Sequence, residues 1–207
     1  MPITQAVAAL DAKAMQCAAL IGSAHRIGPS GAVLFTPLES QQITVAGFLN
    51  LFVAWEEFLE SAFVHFMTGA PTLSGLQPVR YASPPSADAA LGMLIGAGHH
   101  FNFASHDHVR KMARLYFKNG YPFEPHLSAV ATDLADLRTM RNASAHISTT
   151  TQKALQALAQ RIFGVPRQNI ALYAMLIATD PRSTTNNTVF SEASDKLLTT
   201  AHLIAQG

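Results

Sequence analysis

The stretch "QQITVAGFLNLFVAWEEFLESAFVHFMT", residues 41 to 68, contains a single glycine, Gly47, and no proline. Leu49, Phe52, Trp55, Leu59, Phe63 and Phe66 recur at steps of three and four, the spacing that lines one face of an α-helix. Most other positions are apolar too, so the segment reads as a helix buried on most sides. Ser40 or Thr44 is placed to cap its start, and Gly69 and Pro71 end it. Its most apolar part, "VAGFLNLFVAW" at 45–55, is followed at once by Glu56 and Glu57. That run falls well short of the roughly 20 apolar residues that cross a bilayer.

Outward from this helix, the chain keeps a helical grammar. Residues 3 to 22 are rich in Ala, Leu and Met and read as a first helix, and "RIGPSGAVLFTPLES" is a Gly- and Pro-dense connector. Pro71, Pro78, Pro84 and Pro85 mark residues 70–104 as a loop-rich insertion, with a short helix at about 87–95. Ser105 is placed to cap a helix that Asn119-Gly120 stops near Lys118. Pro125 suits the first turn of the next helix, which runs to about 142–146. "STTT" at 148–151 caps a helix over 151–163, closed by Gly164 and Pro166, and further helices are expected at 168–178 and 191–205. No strand-length alternation and no internal repeat is present. The expected fold is all-α, one helical bundle domain over residues 1–207 with an insertion at about 70–104.

Composition narrows the function classes. The chain has 207 residues, 49% of them hydrophobic and 13% charged, enough for a real core. Its net charge of +1 creates no global field for nucleic acid or anionic lipid, so a polyanion site must come from local clustering. Cys17 is the only cysteine, which excludes a disulfide framework and argues against a cysteine zinc site. "MPITQAVAAL" has no basic start leading into an apolar run, so no leader is expected. These features fit a cytoplasmic protein with no membrane partner.

Arg141 breaks the pattern of its helix. Val130, Leu134 and Leu137 define the apolar stripe, and at about 100° per residue Arg141 projects between Leu134 and Leu137. A guanidinium keeps its proton, so there it must meet a carboxylate, a phosphate or water. His146 lies about 140° further round if the helix continues, and swings toward the same side if the helix ends after Asn142. A fixed cation beside an imidazole is what phosphodiester chemistry uses: the cation stabilises charge on the phosphoryl oxygens and the histidine moves protons near neutral pH. With RNA the 2′-OH supplies the nucleophile, so no metal or other cofactor is required. The plainer alternative is that Arg141 and His146 are cations favoured at a helix C-terminus.

"LRTMRNASAH", residues 137–146, resembles the signature of the HEPN superfamily: an Arg, a polar residue, a short spacer and a His. Arg141, Asn142 and His146 match it, with four residues between Arg and His. "FVAWEEFLESAF", residues 52–63, is similar to the second helix of the RiboL-PSP-HEPN and related prokaryotic branches, where an aromatic–acidic pair precedes an apolar run. The resemblance implies a bundle of four to five core helices and a homodimer that brings two copies of the motif together in a cleft. It implies a metal-independent endoribonuclease leaving 2′,3′-cyclic phosphate and 5′-hydroxyl ends, of a kind that acts as a toxin or phage-defence effector with a cognate antitoxin. Some members instead serve as non-catalytic modules binding nucleotide, RNA or a partner protein. Carried over, His146 is the general acid or base, Arg141 the phosphate clamp, and Asn142 orients a phosphate oxygen or the histidine. Glu56, with Glu57 as fallback, is expected to pair with Arg141, and Ser144 is a further supporting residue.

Other clusters carry weaker chemistry. Arg110, Lys111, Arg114 and Lys118 share one side of their helix and could track an RNA backbone, although a solvated face is the commoner use of such charges. His99, His100, His106 and His108 surround Asp107, a composition that suits a metal. His106 and His108 are two apart and face different ways on a helix, so no metal site is expected.

Overall fold

The computed structural model describes residues 1–29, 31–96, 102–145 and 148–207. His146, His99 and His100 therefore lie outside the described residues. The described chain is all-α, with nine α-helices and only isolated β-bridges. They are α1 (Ile3–Ala24), α2 (Pro37–Met67), α3 (Ala87–Ile95), α4 (His106–Tyr116), α5 (Phe123–Ala129), α6 (Ala131–Ala145), α7 (Thr149–Phe163), α8 (Leu172–Ile177) and α9 (Val189–Gln206). Among the described residues no helix is long and apolar enough to cross a membrane.

Two expectations about helix limits need correction. The helix α2 starts at Pro37, so Ser40 and Thr44 lie inside it and do not cap it. The cap is Thr36: its backbone N–H donates to Glu39 Oε2 at 2.7 Å, and Glu39 N–H donates back to Thr36 Oγ1 at 3.3 Å. This reciprocal pair satisfies two helix-end donors, and Pro37 sits at the first helical position, where its missing N–H is harmless. Ser40 donates instead to Ala24 O at 2.8 Å, and Thr44 donates to Ser40 O at 2.7 Å. The second correction concerns the helix expected from Pro125 onward. It is broken at Val130 (φ −116°, ψ 21°) into α5 and α6.

The chain forms two compact units. The first comprises Met1–Asp11, Ala54–Leu134 and Leu197–Gly207. Its core is an aromatic cluster in which Phe63 stacks on Phe123 at 4.0 Å between ring centroids, with Phe66 and Phe117 each 5.8 Å from Phe123. All four rings are fully buried, each worth about 1.5–3 kcal/mol relative to exposure. The Pro-rich segment after α2 is pinned within this unit. Arg80 Nη1 donates to Met67 O at 2.8 Å, satisfying a carbonyl at the end of α2, and Leu73 N–H donates to Ala205 O at 2.8 Å.

The second unit comprises Ala12–Val53 and Ala135–Lys196. Here α1 and α2 approach closely because residue 47 has no side chain: a Cβ on Gly47 would lie 2.8 Å from Ile21 Cγ1. Cys17, Phe48, Leu51, Leu137, Met140 and Leu158 are among its buried residues. The helix α7 opens on Ser148, which exchanges hydrogen bonds with Thr151 in a capping box. It closes on Gly164 in the left-handed region (φ 71°).

Candidate functional site

The last turn of α6 carries Arg141, Asn142 and Ser144, all half-buried. The stripe that Arg141 was expected to continue is filled by Leu134, Leu137 and Met140, each 5% exposed or less. On the unbroken α6 Arg141 projects between Leu134 and Leu137, one turn nearer the helix end, and is half-buried where those leucines are buried. Among the described residues no carboxylate pairs with it. Asp136, five residues earlier on α6, binds Arg161 of α7. Ser144 Oγ donates to the Arg141 carbonyl at 2.6 Å, a local side-chain-to-backbone bond within the last turn.

Beside this turn, and wholly within the second unit, lies an open groove of about 440 Å³. Ala143 and Ser144 form its α6 edge. Gln41, Gln42 and Val45 of α2 face residues of α7 and α8, including Gln152 and Tyr173. Of these only Ser144 was named from the sequence, because the α2 residues and the α7 and α8 residues are more than 100 positions apart and lack a shared spacing.

The other candidate residues belong to the first unit. Glu56 is half-buried and Glu57 exposed, both on the part of α2 in the first unit. The four cations on α4 and in the turn just after it split into two kinds. Arg110 donates to Glu124 at 2.8 Å, and Arg114 reaches the same carboxylate at 3.1 Å. Burial is the largest single influence on Glu124 and raises its pKa. Hydrogen bonds from Arg110 and Ser128, with the two guanidinium charges, outweigh it and hold the group below the ordinary carboxylate value. Lys111 and Lys118 are exposed and, among the described residues, have no carboxylate partner. The basic face is thus half a strut joining α4 to α5 and half solvated charge. Among the described residues no three His, Cys, Asp or Glu side chains are grouped to hold a metal ion.

No protein-family model, curated protein or solved structure matches this chain. What can be said of function therefore rests on the residues and their surroundings.

Proposed function

We propose that the protein is an endoribonuclease of HEPN type, acting without a metal ion as a homodimer. The observation that carries this reading is Arg141, a half-buried permanent cation with no carboxylate partner among the described residues, on the same helical turn as Asn142 and Ser144. A cation so placed is available for an anionic ester. His146, five positions on in sequence, supplies the proton carrier. The 2′-OH attacks the adjacent phosphorus as its proton passes to a base. The 5′-oxygen leaves and takes a proton from an acid, giving a 2′,3′-cyclic phosphate and a 5′-hydroxyl. Arg141 stabilises the charge on the phosphoryl oxygens at the crowded intermediate stage. A role as toxin or defence effector in the cytoplasm, restrained by an antitoxin protein, belongs to the same proposal.

The test is cleavage of unstructured RNA by wild-type protein, Arg141→Ala and His146→Ala, with and without a chelator. Wild-type activity that survives chelation and falls at least 100-fold in both variants supports the reading. Wild-type protein that binds RNA without cutting it, with binding weakened by the same substitutions, would replace it with a non-catalytic HEPN module.

A further inference from the structure

We infer that the groove beside the α6 turn is a binding site for an unpaired nucleobase. Its volume of about 440 Å³ falls in the range of roughly 300–1,000 Å³ usual for small-molecule sites. Among the described residues no charged side chain lines it. The walls are apolar, from Val45 and Leu49 on α2, Leu155 on α7 and Leu172 on α8. Set into them are three primary amides, Gln41, Gln42 and Gln152, with the hydroxyls of Ser144 and Tyr173. That is the lining a flat, uncharged, hydrogen-bonding ring requires: apolar surface and an aromatic face for stacking, with donor–acceptor pairs for its edge.

The polar groups are partly oriented. Gln152 Nε2 donates to Ile170 O at 3.0 Å, which fixes that amide and leaves its oxygen as an acceptor. The Ser144 proton is directed to the Arg141 carbonyl, so its oxygen is left as an acceptor as well. Among the described residues Gln41 and Gln42 make no side-chain hydrogen bond, and each presents a donor and an acceptor side by side. An amide of that kind matches a base edge bidentately. Among the described residues a charged peptide would find no counter-ion here.

Position connects the groove to the phosphate chemistry. Ser144 belongs to both the groove and the Arg141 turn, about 5 Å apart along the helix axis. A nucleotide seated by its base would carry its phosphate toward that turn. The assignment of the base to RNA rests on the ribonuclease reading above, whereas the base site itself does not.

The experiment is titration of wild-type protein with the four uncharged ribonucleosides, with ribose as the control, followed by calorimetry or NMR shifts. At least one nucleoside should bind and ribose should not. Tyr173→Leu, and Ala46→Trp to fill the groove, should each weaken nucleoside binding about tenfold or more. Arg141→Ala should leave nucleoside affinity unchanged while weakening the corresponding 3′-monophosphate. Circular dichroism checks each fold, and Gln41→Leu with Gln42→Leu replaces Ala46→Trp if the latter does not fold. A dinucleotide that binds more tightly than the monophosphate identifies RNA as the source of the base; the reverse order keeps the base site and assigns it to a free nucleotide. Absence of binding by any nucleoside, or binding untouched by both groove substitutions, overturns the proposal. The two readings fail separately: protein that binds nucleosides but leaves RNA uncut keeps the groove and loses the nuclease, and protein that cuts RNA but binds no nucleoside does the opposite.

Discussion

Ser144 Oγ donates to the Arg141 carbonyl oxygen at 2.6 Å, back across the final turn of α6. The bond ties the backbone under the half-buried cation to a side chain that also borders the groove. Ser144→Ala should therefore lower kcat/KM for RNA several-fold while changing stability by no more than about 1 kcal/mol. Ser144→Thr should restore most of the activity. Steady-state kinetics alongside urea unfolding would check this, and a large stability loss with unchanged kinetics would show that the serine serves the helix alone.

The charges on and beside α4 should separate by role. Arg110 and Glu124 are both about four-fifths buried as side chains, at 22% and 18% exposure. Removing either leaves the other poorly solvated, so a double-mutant cycle with Arg110→Ala and Glu124→Ala should show a coupling of about 1–3 kcal/mol. Lys111→Ala and Lys118→Ala should leave unfolding almost unchanged. If this face meets RNA, each should weaken binding uniformly across sequences and flatten its salt dependence by nearly one phosphate's worth.

Acid should weaken the fold in two windows. Burial of His126 pushes its pKa below the ordinary 6.5. As the pH falls below about 6.5 the unfolded chain takes up a proton that the folded chain resists, so stability declines there. The lowered pKa of Glu124 contributes stability that is complete above its ordinary 4.5 and is lost as the pH falls through the lowered folded value. His126→Gln should remove the first decline and Glu124→Gln the second, measured as urea midpoints from pH 8 to pH 3.

The aromatic cluster of the first unit sets a further expectation. Phe63 is fully buried and stacked 4.0 Å from Phe123. Phe63→Ala should destabilise the protein by about 3–5 kcal/mol, and Phe63→Leu by clearly less, in denaturant unfolding.

Local and periodic features were legible in the sequence. The three-and-four spacing of Phe52, Trp55, Leu59, Phe63 and Phe66 identified α2 and its buried face, and the serine and threonines at 148–151 marked the start of α7. The Thr36-Pro37-Leu38-Glu39 run held a readable capping box, overshadowed by two inviting hydroxyl residues further on. Nothing punctuates Val130, so the break between α5 and α6 had no local signal. Arg141 was conspicuous as a charge among leucines. The Glu124 strut and the groove were not, since each is made by side chains that only folding brings together.

The most direct test of the central claim is the chemistry of the cut ends. RNA incubated with wild-type protein in excess chelator should yield fragments ending in 2′,3′-cyclic phosphate and beginning in 5′-hydroxyl, identified by mass spectrometry, with no such fragments from Arg141→Ala. Fragments bearing 3′-hydroxyl and 5′-phosphate ends, or the expected ends produced equally well by Arg141→Ala, would contradict it.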